Sequence, residues 1–151
     1  MLSIKTVDES TTSIKRKFDN LYFNISYGSM SKIKITVGDM ELEGELSDTD
    51  CAEKIKVNLP FESKFQTWGD EFYFSIGLEM GLDDTAKQEV EIGTIGYWPS
   101  GEALAIFFGP TPASTGEKPV AASDVNVVGE VDDAERLKEA KDAGKIRVEK
   151  I

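Results

Sequence analysis

The side chains that carry out most acid–base, nucleophilic and metal chemistry are scarce in this chain, which has no histidine and a single cysteine, Cys51. A Ser-His-Asp triad, a Cys-His pair and a carboxylate–histidine metal site all need an imidazole, so all three are excluded. Cys51 has no intrachain partner for a disulfide, and without histidine it leaves a structural zinc site short of ligands. The neighbouring carboxylates Asp70 and Glu71 suggest an acid/base pair, but successive residues of a strand point to opposite faces and cannot readily share one substrate. Asp48-Thr49-Asp50 opens like a calcium loop, yet its sixth position is Glu53 where a glycine is needed and its twelfth is Leu59. Gly116-Glu117-Lys118 lacks the spacing of a phosphate loop, and Gly-x-Ser-x-Gly is absent. No catalytic residue, metal ligand or cofactor is therefore assigned.

What remains is the chemistry of recognition. Phe65, Trp68, Tyr73, Tyr97, Trp98, Phe107 and Phe108 form an aromatic set able to line an apolar cleft. Beside them in sequence lie Gln66, Thr67, Glu71, Thr111 and Ser114, polar groups that can orient a bound amide or hydroxyl. The ligand-binding candidates are Gln66, Thr67, Trp68, Glu71, Tyr97, Trp98, Phe107, Thr111 and Ser114. Core packing competes for the same residues, since alternation along a strand sends one of Phe107 and Phe108 inward. Seventeen basic against 28 acidic residues give a net charge of -11, which repels polyanions and argues against a nucleic-acid partner. No apolar run approaches the roughly 18 residues of a spanning helix. The N-terminus carries Asp8 and Glu9 where a signal peptide would be apolar. The reading is a cytoplasmic protein without a membrane partner, whose ligand is a peptide or a small apolar molecule; composition leaves the oligomeric state open.

The 151 residues fit one main domain. Residues 1–30 differ in composition from the rest and read either as an N-terminal extension or as an extra strand through Leu21, Phe23, Ile25 and Tyr27; residues 31–151 form the domain. Ile33, Ile35 and Val37, then Gly38-Asp39, then Met40, Leu42, Gly44 and Leu46 predict a β-hairpin. Asp48 is placed to cap a helix through Cys51, Ala52, Ile55 and Leu59, closed by Pro60. Residues 61–69 read as irregular, and Phe72, Phe74 and Ile76 as a strand leading into a loop from Gly77 to Thr85. Val90 and Ile92 start another strand, Trp98-Pro99-Ser100-Gly101 makes a turn, and the apolar run Ala103 to Phe108 predicts a central strand buried on both faces. A loop with Pro110, Pro112 and Pro119 precedes a strand from Val125 to Val131. Asp132 and Glu135 then mark a helix start, Gly144 its end, and Ile146 and Val148 a last strand. Many short strands with two short helices predict an antiparallel barrel capped by helices.

Linked motifs carry a resemblance: Pro60-Phe61-Glu62-Ser63, Thr67-Trp68-Gly69-Asp70-Glu71-Phe72-Tyr73-Phe74, Gly96-Tyr97-Trp98-Pro99 and Phe107-Phe108-Gly109-Pro110-Thr111-Pro112. With these the chain resembles the small cyclophilin-like domain proteins of archaea and bacteria, from about Lys32 to Ile151. The resemblance implies a closed eight-stranded antiparallel β-barrel with a helix at each end, and no settled activity. True cyclophilins are peptidyl-prolyl isomerases whose groove holds a catalytic arginine, a glutamine, aromatics and a histidine. Here the corresponding segment, Phe61 to Phe74, contains Lys64 and Gln66 but no arginine, and all three arginines, Arg16, Arg136 and Arg147, lie towards the ends. Lysine is a flexible, strongly hydrated point charge and does not replace the planar guanidinium fork. The function expected is a noncatalytic peptide- or small-molecule-binding module, with a divergent prolyl isomerase as the alternative.

Overall fold

A computed structural model of the chain describes residues 30–151; the alternating segment Leu21 to Tyr27, read as an extension or an extra strand, lies outside the described residues. The predicted hairpin is β1 (Ser31–Val37) and β2 (Met40–Leu46), turning at Gly38, whose φ of 61° suits a residue without a side chain. Helix α1 (Asp50–Val57) starts one residue later than expected, because its cap is Thr49, whose Oγ1 accepts the Ala52 N–H at 3.1 Å, and not Asp48. Cys51, Ala52 and Ile55 recur on its buried face.

Residues 61–69, expected to be irregular, supply two short strands, β3 (Phe61–Lys64) and β4 (Gln66–Thr67). They are followed by β5 (Glu71–Ser75), β6 (Lys87–Glu89), β7 (Thr94–Trp98), β8 (Ala103–Phe107), β9 (Val120–Val131) and β10 (Lys145–Lys150). The strand expected at Val90 and Ile92 begins only at Thr94, after Gly93 with φ 98°, and β9 starts five residues before Val125. The second helix is a 3-10 segment at Ala134–Glu139, entered through Asp133 with φ 56° and no side-chain cap. A single 3-10 turn at Pro99–Gly101 joins β7 to β8.

The architecture is mainly β and antiparallel with two short helices. Among the described residues ten strands pair in the order β3-β10-β1-β2-β9-β7-β8-β5-β4, with β6 on β9. This corrects the expected closed eight-stranded barrel, for the ladder runs from β3 to β4 without closing. The reason lies in residues 61–67, which pair first with β10 at Phe61–Lys64 and then with β5 at Gln66–Thr67. Between them Phe65 donates its N–H to Gly144 O at 3.1 Å, so the run changes partners and contributes two edge strands where an irregular segment was expected. β6 adds a further short strand.

β8 is buried at all five positions, as its uninterrupted apolar run predicts. Alternation divides it between two cores. Leu104, Ile106 and the adjoining Phe108 enter the main core with Ile33, Ile35, Leu46, Ile55, Phe72, Tyr97 and Leu137. Ala105 and Phe107 face the other way and pack with Val90, Ala121 and Val125 in a smaller cluster. Each large apolar side chain fully withdrawn from water contributes about 1.5 to 3 kcal/mol, so the strand stabilises both layers. Its second face is the floor of the site described next.

Candidate functional site

The site is built on the turn between β4 and β5. Thr67 pairs with Phe72, and Trp68 N–H donates to Glu71 O at 3.0 Å, which leaves Gly69-Asp70 as a two-residue hairpin loop. Gly69 has φ 63°, the first-position glycine that such a turn requires. Residues flanking a two-residue turn lie opposite each other, so Trp68 and Glu71 share one face of the hairpin, and Tyr73, two residues beyond Glu71, shares it as well. On the same face the ladder places Tyr73 against Ala105 and Ala105 against Gly96, and Trp98 follows Gly96 by two. Gly96 leaves room for Val125, which a β-carbon there would approach to 2.8 Å, and Ala105 lies in the cluster against which Tyr73 and Trp98 pack.

The resulting cleft has a volume of about 150 Å³ and is lined by Trp68, Glu71, Tyr73, Trp98, Ala121, Ala122 and Val125. Trp98 is fixed by its Nε1–H donating to Ser123 Oγ at 2.7 Å and by an edge-to-face contact with Tyr73, ring centroids 6.1 Å apart at 77°. Tyr73 donates its hydroxyl proton to Gln66 Oε1 at 2.9 Å. Glu71 is only 7% exposed, and among the described residues no cation or hydrogen-bond donor is set against its carboxylate. Burial pushes its pKa from 4.5 up to about 7, because a charge surrounded by aromatic and aliphatic groups loses hydration that nothing replaces. Asp70 points elsewhere, forming ion pairs with Lys141 at 2.7 Å and Lys138 at 4.0 Å. The two neighbouring carboxylates therefore do not share a substrate, as strand alternation requires.

Of the nine candidates, the structure brings Trp68, Glu71 and Trp98 together around the cleft. Gln66 and Thr67 are exposed on β4, and Gln66 reaches the cleft only through Tyr73. Tyr97 is a correction: it alternates with Trp98, so it enters the main core, fully buried, where its hydroxyl accepts the Met80 N–H at 3.1 Å and donates to Leu78 O. Phe107 is fully buried in the smaller cluster, beneath the lining and outside it. Thr111 and Ser114 hold their own loop, since Thr111 N–H donates to Ser114 Oγ at 2.9 Å, Thr111 Oγ1 donates to Val120 O, and Ser114 Oγ donates to Lys118 O at 2.8 Å. That loop supports the hairpin from behind, where a β-carbon on Gly69 would lie 2.9 Å from Thr111 Cα and Pro112 Cδ.

Tyr73, Ala121, Ala122 and Val125 belong to the lining but not to the candidates. The period of two from Glu71 identifies Tyr73; the small residues of β9 give no comparable signal, because they come from a strand distant in sequence. Two larger depressions, of about 270 Å³ beside Asp50, Lys54 and Asp83 and about 300 Å³ beside Glu62, Lys145 and Arg147, are lined largely by charged and loop residues. They lack the enclosed aromatic walls that fix a ligand. Cys51 is buried, its thiol pushed up by that burial and approached by Asn126 Nδ2 at 3.5 Å, which makes it a core residue. Among the described residues no group of three or more potential metal ligands occurs, and no helix is long and apolar enough to cross a membrane.

The sheet order and the cleft on its second face define a mainly β, antiparallel protein with an aromatic-walled cleft. The profile of the Cyclophilin-like family matches residues 31–149, and the chain belongs to that family. Among solved structures it is similar to the hypothetical protein AF2241 from Archaeoglobus fulgidus, determined in solution, with 33% identity and a TM-score of 0.69 over 82% of this chain and 97% of that one. No curated protein matches the chain.

Proposed function

We propose that this protein is a noncatalytic binding module that takes a peptide or a small, largely apolar molecule in the cleft between Trp68 and Trp98. The observation that carries the reading is the lining itself: two tryptophans and a tyrosine around one buried carboxylate, on a rigid hairpin and two paired strands. Such a mixture of apolar walls and one orienting polar group is the usual composition of a ligand site. Prolyl isomerisation finds no support in the lining, which contains neither arginine nor histidine, and Lys64 is exposed on β3 opposite Lys145. A cytoplasmic location belongs to the same reading and rests on composition.

The test is an unbiased screen of fragments and short peptides, followed by chemical-shift mapping. Ligands are expected to shift Trp68, Glu71, Tyr73 and Trp98, and Trp98→Ala is expected to abolish those shifts. Ligands that map elsewhere overturn the site. A prolyl-peptide isomerisation rate above background that is lost in Gln66→Ala overturns the noncatalytic reading.

A further inference from the structure

Glu71 is an unusual occupant of its position. A carboxylate loses several kcal/mol of hydration when it is buried, and proteins normally bury one only against a cation or hydrogen-bond donors. Here the walls are Trp68, Tyr73 and Trp98, with Ala121, Ala122 and Val125 closing the space. The faces of aromatic rings repel an anion but attract a cation, and a carboxylate attracts the same cation. The two features are therefore mismatched to each other and matched to one class of guest. Its size is bounded too, since a protein cavity of about 150 Å³ is known to admit a molecule as large as benzene, and the cleft has that volume.

We infer that the cleft holds the alkylated ammonium head of a small organic cation, with Glu71 as its counter-ion and Trp68, Tyr73 and Trp98 as its aromatic walls. This rests on the reading of the cleft as the binding site and adds the charge of the ligand. Methyl groups on the nitrogen suit the apolar lining, whereas a primary ammonium would leave N–H groups needing acceptors beyond the single carboxylate. The chain's net charge of -11 steers cations towards it.

The inference has a pH signature, because a bound cation favours ionised Glu71. Burial holds that carboxyl at about 7 in the free protein, so binding must displace a proton below that pH. The other titratable group in the lining is Tyr73, on the same strand; Trp98 of β7 and Ala121, Ala122 and Val125 of β9 bring none. β8 beside it carries no titratable side chain, β4 offers Gln66 and Thr67, and Asp70 is paired with Lys141 and Lys138.

The experiment titrates the protein with choline and with its neutral carbon isostere, 3,3-dimethylbutan-1-ol, at constant ionic strength and at pH 6 and pH 8, following indole and backbone amide shifts. Choline is expected to shift Trp68, Tyr73 and Trp98 and to bind about tenfold more tightly at pH 8, as the ionised fraction of Glu71 rises. The alcohol is expected to bind at least about tenfold more weakly than choline, as loss of a desolvated charge contact implies. Glu71→Gln should remove both the preference for choline and its pH dependence, and Trp68→Leu should weaken choline more than the alcohol. If the alcohol binds as tightly as choline, or choline binds more tightly at pH 6, the cation inference is wrong although the cleft still binds. If neither probe shifts the cleft, the cation inference is also wrong; the site itself falls as well only if ligands from the unbiased screen map elsewhere.

Discussion

Replacing Glu71 with glutamine should stabilise the protein at alkaline pH and leave it unchanged in acid. The carboxyl titrates at about 7 in the folded protein against 4.5 when fully hydrated, a difference that at about 1.4 kcal/mol per unit amounts to about 3 kcal/mol at most. The sign follows from proton binding. Below pH 4.5 the group is protonated in both states and contributes nothing; between 4.5 and 7 the folded protein keeps a proton that the unfolded chain has released, so stability falls as pH rises. Above about 7 the whole penalty of a buried charge is present. Water entering the open side of the cleft screens part of it, so a difference of about 1 to 3 kcal/mol is expected at pH 8. Urea unfolding followed by tryptophan fluorescence at pH 4.5, 6, 7 and 8 measures it: about 2 kcal/mol moves the midpoint by about 1 M. The rest of the chain's acidic charge is common to both proteins and cancels in the comparison. A midpoint difference that stays constant from pH 4.5 to pH 8 would refute the argument, since it would mean that Glu71 titrates as an exposed carboxyl does.

Gly96→Ala should cost about 1 to 3 kcal/mol, because its β-carbon would lie 2.8 Å from Val125 Cγ2 and 3.4 Å from Phe107 Cε2; the urea midpoint gives the value. Asn126→Ala should cost about 2 to 3 kcal/mol and speed hydrogen exchange in residues 78–85, since the fully buried amide accepts the Asp83 N–H at 2.8 Å and donates to Gly81 O at 3.0 Å. A chain beginning at Met30 should unfold with the same cooperativity as the full chain, because the family match starts at residue 31; a broadened transition would assign a structural role to the segment before it.

The parts of the fold that were legible in the sequence are those governed by local periodicity. β1, β2 and β8 announce themselves by alternation or by an unbroken apolar run, and α1 by the spacing of Cys51, Ala52 and Ile55. The misreadings have non-local causes. Residues 61–67 contain polar side chains at exposed edge positions, so their strand character comes from partners on β10 and β5 that lie 80 residues away or across a turn. The closed barrel was inferred from strand number and resemblance, neither of which reports that this run divides its pairing between two strands. The 3-10 segment at Ala134–Glu139 begins from Asp133 with a positive φ, a geometry that a cap-like Asp132 and Glu135 do not reveal.

The candidate site divides along the same line. Trp68 and Trp98 were legible as aromatics beside Gly69 and Pro99, and Glu71 as a polar neighbour of that set; the Gly69-Asp70 turn that gives Trp68 and Glu71 a common face lies in a segment that reads as irregular and shows itself only in the pairing. Tyr97 belongs to the aromatic set and Thr111 adjoins it in sequence, but neither fact places a side chain in the cleft: adjacent residues of a strand occupy different layers, and a loop threonine satisfies its own backbone first. The floor of the cleft was hidden for a different reason. Gly96 matters because its missing side chain lets Val125 pack closely, Ala105 because it is a small residue beneath Tyr73 and Trp98, and Val125 and Ala121 through where β9 crosses β7. The same alternation that sends Leu104 and Ile106 into the main core turns Ala105 and Phe107 towards the cleft, so one short strand both anchors the sheet and sets the depth of the site. Ala105 is fully buried in the cluster against which Tyr73 and Trp98 pack, so a larger side chain there should push those rings into the cleft while leaving the main core intact, and Ala105→Val should abolish ligand-induced shifts at Trp68 and Trp98 at a cost of about 1 to 3 kcal/mol in stability. Retained ligand shifts in a folded Ala105→Val protein would mean that the ligand sits higher, on the rim formed by Ala122 and Trp98, and does not reach the floor.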